Sequence, residues 1–398
     1  PIMIAFCLVE LVALVVPPLR WRRHDPVGRA RLGQAVAALA ILLALVQAYF
    51  LVAQIESYGR MGAFGGVFGY GDSAVVADPG LQFRLVATAS LVSGTLVLVI
   101  VAGMIREHGL GNGYGVIFLA GSVIEFLRVY VAEPEATPEI LARDAVGLVT
   151  VGVIGVLAAA VLRWRVASRE REPALRVPSS GFSPLGDSMA ILYLFAMVSL
   201  VGLGTELSVA MGRVTELQSR TSVIFCLVLV TVPLWSWLFA RPRLSGVTME
   251  TWVRGTALSL VMLLAIAAIQ WFAAGTDDGT AGLAHAIAIM IGVAVILDIR
   301  DDLRAHRQPL APVAGLHQIQ RAGRVERILT DAGIPFHIHA AHLRTLYAFF
   351  GPFAPAIVMV PVVHSIEARN KLADAMAPPV LPAATVLKTE SPAATPAE

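Results

Sequence analysis

The sequence contains little cysteine and almost no lysine, and each shortage excludes a class of function. Its two cysteines, Cys7 and Cys226, lie inside apolar segments, which indicates packing rather than a disulfide or a metal site. Lysine occurs only as Lys371 and Lys388, and the remaining 28 cationic residues are arginine. Because these arginines follow the ends of apolar runs, the net charge of +2 indicates no nucleic-acid partner.

Long apolar runs are abundant. Hydrophobic residues make up 57% of the chain and the mean hydropathy is +0.74, which argues against a soluble all-helical protein. Hydrocarbon of about 30 Å is crossed by ~20 helical residues, and a helix satisfies its own backbone hydrogen bonds there. Nine membrane helices are predicted, at residues 1–17, 34–54, 84–104, 115–131, 144–162, 187–206, 221–239, 256–275 and 282–298.

Arginine distinguishes the two sides of the predicted membrane. One alternating set of connections contains 17 arginines, whereas the other set, with its flanks, contains 5. Cationic connections stay in the cytoplasm. The chain is therefore predicted to begin outside the cytoplasm, and everything after residue 299 is predicted to be cytoplasmic.

The composition changes after the last apolar run and predicts four regions. Residues 1–299 form the predicted membrane domain and residues 300–312 a linker. Residues 313–376 form a small cytoplasmic α/β module, and the Pro/Ala-rich tail at 377–398 is predicted to be disordered.

The predicted module begins with a helix over 315–333, which ends at a glycine. Two strands follow, in IPFHIHA and in APAIVMVPVV, and Ser365 is expected to begin the last helix. His337 and His339 share one face of the first strand. No cysteine and no carboxylate at ligand spacing accompanies them, so we expect no metal site and no other cofactor.

The segment REHGLGNGYGVIFLAG, at residues 106–121, resembles the ERGIGNGISLIIFAG signature of the SecY family, the central subunit of the protein-translocation channel. Gly109, Gly111 and Gly113 permit a sharp reversal between two helices, and Asn112 can satisfy free backbone groups there. Four further segments resemble the family's second helix, third helix, entry to the seventh helix and tenth helix, in that order: PIMIAFCLVELVALVVPPL, GRARLGQAVAALAILLALVQAY, LRVPSSGFSP and IAIMIGVAVILD.

The resemblance covers about residues 1–300 and implies an all-α polytopic membrane protein, a SecY-like bundle of two inverted halves around a pore. It also implies that the family's first helix and plug belong upstream of residue 1. A bacterial-type inner membrane is the expected location. The implied pore ring, whose apolar groups would seal the neck against ions, comprises Met3, Phe118, Ser122, Gly186 and Ile291. The implied lateral gate includes Glu10, Pro184 and Asp187.

Two ring positions depart from the isoleucine that the family prefers. At Ser122 and Gly186, ordinary close packing of helices by small residues is the alternative interpretation. The cytoplasmic docking residues implied by the family are Arg163, Arg165, Arg241 and Arg243, in loops shorter than the family's. Contact with a motor ATPase or ribosome, and simple anchoring of topology by these arginines, are both left open.

The implied function is a divergent protein-conducting channel that moves unfolded polypeptides across the bilayer or laterally into it. SecE-like and SecG-like subunits are the implied partners, and no enzymatic reaction is needed. One alternative is a non-conducting scaffold of the same fold that acts through its cytoplasmic module. Another is a small-solute transporter, which predicts polar groups clustered at the midplane; apart from Glu125 and Arg128, few are present.

Overall fold

The architecture is taken from a computed structural model. It describes residues 26–61, 78–108, 111–131, 138–167, 172–181, 221–274, 279–305, 308–316, 318–347 and 356–376, with residue 76 and a few isolated positions before residue 26. Six residues of the predicted sites lie outside the described residues: Met3, Glu10, Gly109, Pro184, Gly186 and Asp187.

Up to Ala305 the described chain is a bundle of helices with one short hairpin. The helices are α1 Pro26–Met61, α2 Leu81–His108, α3 Gly113–Val131, α4 Pro138–Arg163, α5 Thr221–Ala240, α6 Pro242–Ser245, α7 Met249–Ala274 and α8 Gly279–Ala305. The hairpin consists of β1 Arg165–Val166 and β2 Leu175–Arg176, paired antiparallel. The described parts of seven predicted membrane runs lie within these helices: 34–54, 84–104, 115–131, 144–162, 221–239, 256–274 and 282–298. The predicted run at 187–206 and most of that at 1–17 lie outside the described residues.

Three stretches within the described helices are long and apolar enough to cross a membrane: Arg31–Ala53, Leu81–Ile105 and Met249–Ile266. Large apolar side chains cover their outer faces, among them Leu42, Leu85, Ile100 and Val261, each more than half exposed. A contiguous apolar surface of this extent is rare on soluble monomers. It suits a lipid environment.

The core of the bundle lies among α4, α5, α7 and α8. Ile154, Val228, Leu263 and Met290, one from each of these helices, are buried together. At the far end of the bundle, Glu56 of α1 and Arg84 of α2 form an ion pair of 2.6 Å in which the carboxylate is buried. The end opposite this pair, where α2 turns into α3 at Gly111, is called the Gly111 end below.

The C-terminal part forms a three-stranded antiparallel sheet with helices. Its order is β3–β5–β4, so β5 is the central strand. The elements are β3 Leu310–Leu316, a 3-10 turn at Ile319–Arg321, α9 Ala322–Asp331, β4 His337–His339, α10 Ala341–Leu346, β5 Ala356–Pro361, a 3-10 turn at Val362–His364 and α11 Ser365–Met376. Its buried core includes Leu316, Leu329, Val358 and Leu372.

The structure differs from the sequence-based expectation at the start of this region. Helix α8 continues to Ala305 and β3 begins at Leu310, so most of the interval expected as a linker is regular structure. The helix expected over 315–333 begins only at Ala322. Strand β3 escaped prediction because it contains Pro312, beside which the register shifts. An edge strand tolerates such a residue, since its outer hydrogen-bonding side has no partner strand.

Candidate functional site

The turn between α2 and α3 is built by two glycines and one asparagine. Gly111 has φ +78°, in the left-handed region that glycine adopts without strain. A Cβ at Gly113 would overlap the carbonyl of Ala102, so the two helices meet backbone to backbone. Asn112 is buried, and its Oδ1 accepts a hydrogen bond from Gly115 N at 3.1 Å. Asn112 therefore caps the start of α3.

Asp298, near the end of α8, holds the first turn of α10. Its two carboxylate oxygens accept hydrogen bonds from the backbone N–H groups of His342, at 2.8 Å, and Leu343, at 2.9 Å. Asp298 is buried, and a helix N-terminus favours a negative charge beside it. These bonds fasten the C-terminal module to the last helix of the bundle.

Asp302, one turn further along α8, gathers three donors from two parts of the chain. Its Oδ2 accepts a bond from Gly111 N at 2.9 Å, and its Oδ1 lies 2.6 Å from His337 Nε2. His339 Nδ1 lies 3.1 Å from Oδ1 and 2.9 Å from Oδ2. Asp302 is 1% exposed. It therefore joins α8, the Gly111 turn and β4 at one point.

The electrostatics of this point follow from that convergence. Burial opposes the charge of Asp302, but the hydrogen bonds from His337 and His339 outweigh it and hold the pKa of the carboxyl well below its ordinary value. Burial also opposes the charge of His339, and here the hydrogen bond and charge of Asp302 prevail and raise the pKa of the imidazole. The contact therefore favours the charged form of both side chains relative to its absence.

A second pair of contacts joins His342 to the bundle. Its Nε2 lies 3.0 Å from Asp301 Oδ2, and its Nδ1 lies 3.3 Å from the carbonyl oxygen of Leu162 in α4. Burial is the largest influence and lowers the pKa of His342, against the opposing effect of Asp301. His342 thus lies between α4 and α8, in the contact region between the bundle and the C-terminal module, which is called the seam below.

The hairpin at the Gly111 end meets the module through charge. Arg165 and Arg176 are cross-strand partners, and both bind the carboxylate of Glu326 in α9, with Arg176 Nη2 at 2.5 Å from Oε1. Arg176 is 5% exposed and the side chain of Glu326 10%, so this is a buried pair. Desolvation by burial, followed by the charge of Arg176, lowers the pKa of Arg165.

Close backbone packing also joins α9 of the module to the β1–β2 hairpin. A Cβ at Gly323 would overlap the carbonyl of Ala174, so α9 rests directly on the chain that leads into β2. Gln320 Nε2 donates to the carbonyl of Ser179 at 3.4 Å. Ser179 is fully buried, and its Oγ lies 2.5 Å from that of Ser236.

Comparison with known proteins identifies the bundle. The family model SecY matches residues 1–201, half of the chain. The chain belongs to the SecY family. The match includes the Gly111 turn and the β1–β2 hairpin, whereas α5 to α8 and the C-terminal module lie beyond it.

Curated relatives agree with this assignment at modest identity. The SecY protein translocase subunit of Bacillus licheniformis is 31% identical over 125 residues, which cover 31% of this chain and 26% of the relative. That of Aquifex aeolicus is 29% identical over 132 residues, covering 32% and 28%. That of Staphylococcus carnosus is 26% identical over 218 residues, covering 49% and 48%. The matches therefore span about a quarter to a half of these relatives.

Within this SecY-family bundle, the described members of the predicted pore ring have different surroundings. Phe118 is 42% exposed on α3. Ser122 lies one turn further on the same face, and its hydroxyl donates to the carbonyl of Phe118 at 2.9 Å. Ile291 of α8 is 3% exposed and belongs to the bundle core. With Met3 and Gly186 outside the described residues, the ring stays a prediction, as does the lateral gate.

The predicted docking arginines also have different surroundings in the structure. Arg163, Arg165 and Arg241 are all exposed, and Arg165 also binds the carboxylate of Glu326 in the module. The side chain of Arg243 lies outside the described residues, although its helix α6 packs beside the 3-10 turn at Ile319–Arg321. The module thus covers part of the surface on which the family resemblance placed docking.

Sequence reasoning missed the residues that build this seam, namely Asp298, Asp302, Glu326 and Leu343. One signal was available: Asp298 and Asp302 are four apart at the end of an apolar helix, so they share a face. Acidic groups ending a membrane helix need partners. The histidines of β4 were singled out, but their carboxylate partner lies 35 residues earlier, at Asp302.

Proposed function

We propose that this protein is a divergent SecY-type channel that conducts unfolded polypeptides across a bacterial-type inner membrane or laterally into it. The observation that carries the proposal is the SecY match over residues 1–201, which contains the capped Gly111 turn. The relatives it resembles are named protein translocase subunits. In this function the chain performs no chemistry and supplies only a path.

The orientation proposed for the channel follows from arginine. The Gly111 end includes the arginine-rich connections at 163–176 and 241–254, which would face the cytoplasm by the positive-inside rule. The C-terminal module then also lies in the cytoplasm. The Glu56–Arg84 pair lies at the opposite, external end.

The path is proposed to run beside α3. An apolar neck resists hydrated ions because it offers them no replacement for water, and Phe118 supplies exposed apolar surface of that kind. SecE-like and SecG-like subunits would complete the assembly, as the family implies. A SecE-like helix would be expected to co-purify with the full-length protein in mild detergent.

Photo-crosslinking tests the path. A photo-reactive amino acid is placed at position 118 in the full-length protein, and a secretory polypeptide is arrested during transit in the host membrane. The matched control places the same group at position 156 of α4, where Val156 is 71% exposed. We expect adducts from position 118 and none from 156. No adduct at 118, or equal adducts at both, contradicts conduction along α3.

One observation favours a second candidate, the non-conducting scaffold that acts through its module. Glu326 binds both Arg165 and Arg176, and α9 packs on the hairpin that carries them. A motor or ribosome would have to displace the module to reach Arg176, whose side chain is buried. If the protein is a scaffold, position 118 gives no adduct with arrested polypeptide. The same photo-reactive group at position 163, where Arg163 is exposed, should instead capture a cytoplasmic protein of the host. That adduct should disappear in the Glu326→Ala variant.

A further inference from the structure

We propose that Asp302, His337 and His339 form a binding site for one divalent zinc-class metal ion at the seam between the bundle and the module. Each residue contributes one ligand atom, and the three atoms lie within 4.8 Å of one another. The residues come from α8 and β4, so a bound ion would join the last helix of the bundle to the module sheet.

The donor set selects the metal. Two imidazole nitrogens and one carboxylate oxygen are a ligand set typical of zinc sites with three protein ligands, where a water takes the fourth position. Calcium and magnesium prefer oxygen ligands throughout. The thiolates that select copper(I) or iron–sulfur clusters do not belong to this group.

The distances suit a small ion. Asp302 Oδ1, the carboxylate oxygen that Gly111 does not bind, lies 2.6 Å from His337 Nε2 and 3.1 Å from His339 Nδ1. Around a tetrahedral zinc with bonds of about 2.0 Å, neighbouring ligand atoms are about 3.3 Å apart. Lengthening these contacts by about 0.7 Å and about 0.2 Å therefore admits the ion, which replaces the protons between these atoms and releases them to solvent.

The supporting residues hold the ligands in position. In the sheet, His337 pairs with Met359 and His339 with Ile357 of the central strand β5, which keeps both imidazoles on one face. Asp302 Oδ2 is oriented by the N–H of Gly111 at 2.9 Å. Hydrogen bonds of this kind to a ligand tune metal affinity by about 10–100-fold. The imidazoles are 14% and 15% exposed, which leaves a route for the ion.

The rival interpretation is a permanent cluster of hydrogen bonds that never takes a metal. The two are separated with the full-length protein, purified in detergent and stripped with a chelator. It is titrated with zinc, with elemental analysis after removal of free metal, and separately with cobalt, whose visible absorption reports coordination by nitrogen and oxygen. We expect one equivalent of zinc, together with a cobalt spectrum of four- or five-coordinate type that zinc abolishes.

The matched variants are His337→Asn with His339→Asn, and His364→Asn as the control. His364 lies in the 3-10 turn after β5, is about two-fifths exposed and stands apart from the cluster. In the double variant the affinity for zinc should fall by more than about 100-fold, which exceeds the loss typical of a residue that only supports a ligand. The control should bind zinc as the parent does. If the unmodified protein binds no stoichiometric zinc, the proposal of a metal site is wrong. This result does not depend on whether any variant folds. Equal binding by the double variant would also overturn the proposal and would reveal an adventitious ion only.

Discussion

Helices α2 and α8 have nearly the same length but opposite surroundings. Helix α2 has 28 residues, and along its apolar stretch only 11% is buried within the protein; Leu85 and Ile100 are both about 60% exposed. Helix α8 has 27 residues, and Met290, Ala294 and Val295 on its inner face are at most 1% exposed. One helix relies on hydrocarbon to cover its apolar face, and the other on protein.

That difference explains where buried charge is tolerated. Covered on its inner face by α3, α4, α7 and the module, α8 ends in Asp298, Asp301 and Asp302, each with donors supplied by the protein. A carboxylate in a lipid-facing helix such as α2 would have no such partners and would cost several kcal/mol. The seam at the Gly111 end is therefore held by specific polar contacts, while the outer helices, apart from the Glu56–Arg84 pair at their opposite end, are held by non-directional burial.

The largest effect is expected at the buried ion pair. Glu326→Ala leaves Arg176 buried without its carboxylate, which typically costs about 3–5 kcal/mol. Hydrogen–deuterium exchange of α9 and the β1–β2 hairpin in the full-length protein measures the loss as faster opening of both. The control is Glu250→Ala in α7, whose pair with Arg254 is more than half exposed on both sides and is worth about 0.5 kcal/mol or less. Equal effects of the two variants would contradict a buried seam.

The next effect concerns the apolar half of the seam. Leu343 belongs to the module, yet it is fully buried in the bundle core with Leu162 and Val295. Leu343→Ala should lower the free energy of unfolding by about 2–5 kcal/mol, the usual range for a buried leucine, measured from the thermal midpoint in detergent. Leu85→Ala on α2 is the comparison, and its exposed position predicts a change within about 0.5 kcal/mol. A small effect at Leu343 would mean that the module is not docked in solution.

The membrane helices were the predictable part of this fold. Apolar runs of about 20 residues have one stable conformation in hydrocarbon, and α1, α2, α3, α4, α5, α7 and α8 each contain all or nearly all of a predicted run. The residues of the Gly111 turn were also predictable in type, since glycine adopts the left-handed backbone at Gly111 without strain and leaves room for the close approach at Gly113. Strands β4 and β5 lie within the two segments predicted as strands.

The seam could not be predicted in the same way because its contacts join residues far apart in the chain. Glu326 meets Arg165 across 161 residues, and Asp302 meets Gly111 across 191. Neither spacing leaves a periodic signal, and each contact depends on how the module is placed against the bundle. The absence of a metal site was predicted because local ligand spacing lacked a carboxylate, and Asp302 supplies that carboxylate from another element.

The smallest effect is expected from pH and depends on His342. Burial lowers its pKa below the ordinary 6.5, so below that pH the unfolded chain takes up a proton that the folded imidazole refuses. The contribution of His342 to the free energy of unfolding is therefore fully present above about pH 6.5 and is lost as the pH drops below it. Asp301, whose pKa is also lowered, keeps its charge throughout this window. His339 acts in the opposite sense, because its raised pKa favours the folded state as the pH falls. The effect of His342 is therefore measured as a difference: between pH 7.5 and 5.5 the thermal midpoint of the full-length protein should fall relative to that of His342→Gln. His364→Gln, at an exposed site, should show the same pH dependence as the parent. A parent midpoint that rises relative to that of His342→Gln on acidification would mean that the charged imidazole, held by Asp301, is the form that fastens α10 to the bundle.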